Sequence, residues 1–123
     1  MASKPTDVVI YHNPNCSTSR KVLGMLREAG TQPRIIEYLK TPPSRSELLD
    51  LLQRMEMAPR ALLRRRGTPY EAMGLGDPAK SDDALIDAML EQPILIERPI
   101  VVGPRGVRLC RPVERVYEVL PAP

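Results

Sequence analysis

Cys16 follows an apolar, β-branched run, Val8-Val9-Ile10-Tyr11, from which His12-Asn13-Pro14-Asn15 separates it as a turn. A helix-like pattern starts directly after it, at Ser17-Thr18-Ser19-Arg20-Lys21-Val22-Leu23. A thiol at such a strand–turn–helix junction faces the unpaired N–H groups and the positive dipole end of the helix. That setting lowers a cysteine pKa toward the range where the thiolate is a nucleophile at neutral pH. His12 and Arg20, close in sequence, push in the same direction. No second cysteine stands at Ser19, so no disulfide closes within Cys16-Ser17-Thr18-Ser19. A single activated thiol in an arginine-containing chain points to chemistry on a small oxyanion.

The elements that must hold this thiol follow from the hydrophobic pattern. Residues 8–12 read as a buried strand. A first helix is expected from about Thr18 to Ala29, with Val22, Leu23, Leu26 and Ala29 on one stripe and Gly30 as stop. A second strand follows at Arg34–Tyr38, and strand–helix–strand implies a parallel pair. After Pro42-Pro43, the spacing Ser44-Arg45-Ser46-Glu47 is a capping box that opens a helix over Leu48–Met55. Pro59 starts a short helix, Arg60–Arg66, which Gly67 ends, and Ser81-Asp82-Asp83 caps another over Ala84–Leu90. Ile100–Val102 and Val107–Leu109, joined by Gly103-Pro104-Arg105-Gly106, read as an antiparallel hairpin. Pro112 opens a last helix, Val113–Leu120.

The expected fold is therefore α/β: β-α-β, a helical insertion over about 44–92, then β-β-α, on a mixed four-stranded sheet. That order is thioredoxin-like. A chain of 123 residues fits one such domain. The start, Met1–Asp7, leads straight into the first strand with no leader-like apolar stretch, and no run is long enough to span a membrane. Two distant cysteines give no disulfide framework, so a reducing cytoplasm is the expected location. An excess of 18 basic over 15 acidic side chains is too small to indicate nucleic-acid binding but suits an anionic small molecule. One histidine with two separated cysteines offers no metal site, and no glycine-rich phosphate loop is present.

The segment Tyr11–Arg20, with Cys16 at its centre, closely resembles the signature of the glutaredoxin-coupled arsenate reductases, the ArsC family. The likeness continues at Tyr38-Leu39 with Pro42-Pro43-Ser44-Arg45, at Arg60–Arg64, at Pro93–Val102 and at Arg108–Pro112. The resemblance implies that Cys16 is the nucleophile and that Arg64, Arg98 and Arg111 bind the oxyanion. It implies that His12 and Ser19 help hold the thiolate, with the N–H groups near Ser17 and Thr18 facing the anion. It also implies arsenate as substrate, glutathione as co-substrate, glutaredoxin as the partner that resets the enzyme, and no stored cofactor. Only the resemblance singles out Arg64 within Arg64-Arg65-Arg66. The chain ends at Pro123, where some relatives carry a longer tail, a difference expected to touch partner contacts more than chemistry.

Cys110, between Leu109 and Arg111 at a strand end, reads as a structural thiol. The Arg98-Pro99 step, entering a strand beside the active thiol, is expected to be cis. Two other functions fit the motif less well. A monothiol glutaredoxin-like oxidoreductase would leave the arginines without a role. An Spx-like regulator of RNA polymerase would typically carry a second cysteine where Ser19 stands.

Overall fold

The computed structural model describes residues 8–121; Met1–Asp7, read above as leading without a leader into the first strand, lies outside the described residues. The described chain falls into two compact units, one holding residues up to Thr41 and from Arg98 onward, the other Pro42–Glu97.

The first unit carries the sheet. Strand β1 (Val9–His12) is followed by helix α1 (Ser17–Glu28) and strand β2 (Arg34–Glu37). Strands β3 (Ile100–Gly103) and β4 (Gly106–Leu109) complete it in the order β2-β1-β3-β4. β2 runs parallel to β1, with Ile10 opposite Ile35, while β3 is antiparallel to β1 and β4 antiparallel to β3. This is the mixed, thioredoxin-like sheet that the element order predicts. The stripe Val22, Leu23 and Leu26 lays α1 on Val8, Ile10 and Val101, and Val116, Val119 and Leu120 close the same core. Leu26 is fully buried, so its truncation to alanine would cost about 2–5 kcal/mol. α1 ends in a Schellman motif: Gly30 takes φ 85°, its N–H bonds the Arg27 carbonyl, and the Thr31 N–H bonds that of Leu26.

The second unit is helical. Helix α2 (Arg45–Met55) opens with the capping box, the Ser44 hydroxyl accepting from the Glu47 N–H while the Glu47 carboxylate accepts from the Ser44 N–H. Helix α4 (Asp82–Glu91) is capped by Ser81. An exposed ion pair joins Arg45 of α2 to Asp83 and Asp87 of α4.

Two expectations need correction. The helix read over Arg60–Arg66 is only one turn, α3 (Pro59–Leu62). Beyond it Leu63 bridges Ile96, and the Arg64 N–H donates to the Leu95 carbonyl at 2.7 Å, so pairing with a distant segment overrides local helical preference. The last helix is a 3-10 helix over Val113–Glu118, and Pro112 stands at its extended cap position rather than in its first turn. The Arg98-Pro99 bond is cis as read from the sequence, and Arg111-Pro112 is also cis. Among the described residues no helix is long and apolar enough to cross a membrane, and no group of three or more potential ligands could hold a metal ion.

Candidate active site

Cys16 is the N-cap of α1, in extended conformation at φ −100° and ψ 121°. Its N–H donates to the Asn13 carbonyl, and its carbonyl accepts the first helical bond from Arg20, both at 3.0 Å. A serine or aspartate at this position would satisfy a first-turn N–H with its oxygen. Here no oxygen cap is present and the Ser19 backbone N–H turns to the sulfur instead, while the first turn carries no acidic residue to compete for the dipole.

The turn that presents the thiol is held from inside. The Asn13 N–H donates to the Ser19 hydroxyl at 3.1 Å, and that oxygen lies 2.7 Å from His12 Nδ1. Asn13 also accepts the Asn15 N–H on its side-chain oxygen at 2.9 Å. His12, Asn13 and Ser19 are all buried. Burial lowers the pKa of His12; nearby Glu37 opposes this, and Arg27 and Arg20 add to it. A neutral imidazole accepts from the Ser19 hydroxyl, leaving that oxygen free to accept from Asn13. His12 therefore braces the turn and is not among the charges acting on the Cys16 thiol. Asn13 was not singled out from the sequence beyond its place in a turn, although an Asx-turn residue before proline is a legible signal.

Two guanidinium groups close on the sulfur. Arg111 donates from Nε to the Arg98 carbonyl at 2.7 Å, which aims its Nη2 at Cys16 Sγ, 3.6 Å away. Arg98, only 7% exposed, approaches the same sulfur. Partial burial pushes the Cys16 thiol upward, but the Ser19 backbone N–H, hydrogen bonding and charge from Arg98, and the charge of Arg111 outweigh it. The net pKa lies below the ordinary 9.0. Cys16 is half-exposed, so this thiolate is open to a reactant. Ser17 is exposed and Thr18 half-buried at the start of α1, where first-turn N–H groups have no carbonyl within the helix.

In the helical unit, Arg64 donates from Nη1 to Glu97 at 3.0 Å and from Nε to the Arg66 carbonyl, also at 3.0 Å. Its side chain is 20% exposed, whereas Arg65 and Arg66 are exposed and Arg65 pairs with Glu71. Burial thus separates the three arginines where sequence pattern does not. Cys110 is fully buried in the core of the sheet unit, and burial pushes its pKa up to about 12.

The chain is 55% identical over 114 residues to "Arsenate reductase" of Rhizobium meliloti, covering 93% of this chain and 81% of that protein. It is 56% identical over 116 residues to "Arsenate reductase" of Escherichia coli K12, covering 94% and 82%. Among solved structures, an arsenate reductase from Vibrio cholerae superposes with a TM-score of 0.87 at 49% identity, over 92% of this chain and 97% of that one. The ArsC family model matches residues 11–119, from the strand that precedes the thiol to the end of the last helix, and the chain belongs to that family.

Proposed function

We propose that this protein is an arsenate reductase, an oxidoreductase that takes arsenate to arsenite through Cys16. The observation that carries the reading is the approach of Arg98 and Arg111 to a thiol whose pKa is lowered. Relatives named arsenate reductase at 55% and 56% identity support arsenate as the oxyanion.

In this scheme arsenate is bound by the planar guanidinium groups of Arg98 and Arg111, with Arg64 as the third cation and the N–H groups of Ser17 and Thr18 as further donors. The Cys16 thiolate attacks arsenic, an S–As bond forms, and one As–O bond breaks with the oxygen leaving as water after taking up protons. Guanidinium charge stabilises the crowded anionic transition state. A second thiolate then attacks Cys16 Sγ. The S–As electron pair stays on arsenic, which falls from the +5 to the +3 state and leaves as arsenite, while sulfur is oxidised to a mixed disulfide. Glutathione fits the role of that thiol, because Ser19 replaces any internal partner and Cys110 is buried. Glutaredoxin would then remove glutathione from Cys16, which places the cycle in a reducing compartment such as the cytoplasm. No step calls on a bound cofactor.

The test is arsenite formation from arsenate by purified protein with glutathione and glutaredoxin. Turnover by the wild type and none by Cys16→Ser is expected. No turnover by folded wild-type protein with a reactive Cys16, across several thiol donors, would overturn the reading.

A further inference from the structure

Arg20 belongs to the Cys16 turn yet has no part in the reaction set out above. Its backbone N–H bonds the Cys16 carbonyl, and its guanidinium folds back so that Nη1 donates to the Pro14 carbonyl at 2.9 Å. The charge is thereby held over the loop two residues from the thiol. It does not act on the sulfur as the buried Arg98 and half-buried Arg111 do. Pro14, Asn15, Ser17, Arg20 and Lys21 are all exposed, so this side of Cys16 is an open rim. Neither Arg20 nor Lys21 makes an ion pair with any described residue, and the first turn of α1 has no acidic side chain. The rim is a fixed positive charge without a carboxylate of its own.

The chemistry supplies a direction. Exchange at sulfur is in line: the incoming thiolate enters opposite the group that leaves. The incoming group must reach the half-exposed sulfur from solvent, and the exposed residues flanking Cys16 in sequence are those of the rim that carries Arg20.

We propose that Arg20, with Lys21 beside it, receives a carboxylate of the small anionic thiol or disulfide that exchanges with Cys16, a peptide of the glutathione class. The inference rests on the reading of Cys16 as the exchanging thiol and deepens it, but does not depend on arsenate being the oxyanion. The step is balanced: the Cys16 thiolate attacks one sulfur of a disulfide, the S–S bond breaks, a mixed disulfide forms, and the released thiolate takes a proton from water.

The experiment compares two disulfides on the reduced full-length chain: oxidised glutathione, which is anionic, and dipyridyl disulfide, which is uncharged. Rates of Cys16 modification are followed by mass spectrometry and absorbance, for wild type, Arg20→Gln, Arg20→Lys and Arg20→Glu. Arg20→Gln is expected to slow the anionic reagent about three- to fivefold while leaving the neutral one unchanged. Arg20→Lys should restore most of the rate and Arg20→Glu should lower it further, with the differences shrinking in high salt. Equal slowing of both reagents would show that Arg20 only supports the turn, and no change with either would show that the rim is not used; each overturns the proposal. Because the readout needs no arsenate, a wild-type protein that makes no arsenite still decides this inference separately.

Discussion

The two cysteines occupy the same unit and follow the same end of the sheet, past β1 and β4, yet their surroundings drive them apart. Cys16 sits where a strand gives way to a helix, half-exposed, with Arg98 and Arg111 approaching and first-turn N–H groups behind it. Cys110 follows β4, packed in the core with Val101 and Val116, and its sulfur lies 3.7 Å from the Arg108 carbonyl. Arg108 and Arg115 are close enough to pull its pKa down, but burial dominates and Glu118 adds to it. Arginines near a thiol therefore do not by themselves make a nucleophile. What matters is whether the charged form keeps hydrogen-bond donors and an opening to solvent.

The largest expected contrast is in turnover. Under the proposed scheme Cys16→Ser removes arsenite formation entirely, whereas Cys110→Ala leaves it intact; loss in both, measured on folded proteins, would break the distinction between a working and a structural thiol. Next comes the guanidinium contact. Arg111→Gln keeps much of the side-chain length but loses the charge, and kcat/KM for arsenate should fall about ten- to hundredfold, the value of a charged hydrogen bond. The same variant should move the pH midpoint of Cys16 reactivity upward.

The closed side of the comparison has its own test. A Cβ at Gly103 would lie 2.3 Å from the Val119 carbonyl oxygen, where the hairpin meets the segment after the 3-10 helix. Gly103→Ala should therefore cost about 1–3 kcal/mol in urea unfolding. An unchanged midpoint would mean that this contact is looser than the structure has it.

The smallest effect is in pH-dependent stability, where the thiols act in opposite senses. Cys110 is raised in the folded state from 9.0 to about 12, so its contribution is fully present below pH 9 and is lost as pH rises toward 12. Cys16 is lowered, so its contribution is present above the unfolded value of 9.0 and is lost as pH falls through the folded value. Cys110→Ala should flatten the fall in unfolding free energy above pH 9, and Cys16→Ser should remove a rise that ends at pH 9. Curves shifted in the same direction would contradict the assignment of the two environments.

Much of this arrangement was legible in residue order. The β-branched run before Cys16, the apolar stripe through Val22, Leu23 and Leu26, and the glycine-containing turn before Val107 rest on local pattern, and they formed as read. So did the Ser44 and Ser81 caps, because capping is settled within four residues. Arg60–Arg66 failed as a helix because its backbone partner, the Leu95–Glu97 segment, lies some thirty residues on, beyond the reach of periodicity. The final segment packs as a 3-10 helix against the sheet core, a distinction that its apolar spacing does not carry. At the site, the position of Cys16 was readable, but the arginines came from family resemblance. Which arginine meets the sulfur depends on how the Arg98 carbonyl steers Arg111, a contact between residues thirteen apart. Similarly, the bond between His12 and the Ser19 hydroxyl, which braces the turn, joins a strand end to a helix and is not carried by local pattern.

The most direct measurement is the rate of alkylation by iodoacetamide as a function of pH on the intact, folded protein, with each cysteine quantified by peptide mapping. The account predicts that Cys16 reacts with a midpoint below 9.0 and that Cys110 stays unmodified until the protein unfolds. A Cys16 midpoint at or above 9.0, or comparable labelling of Cys110 in the folded state, would contradict it.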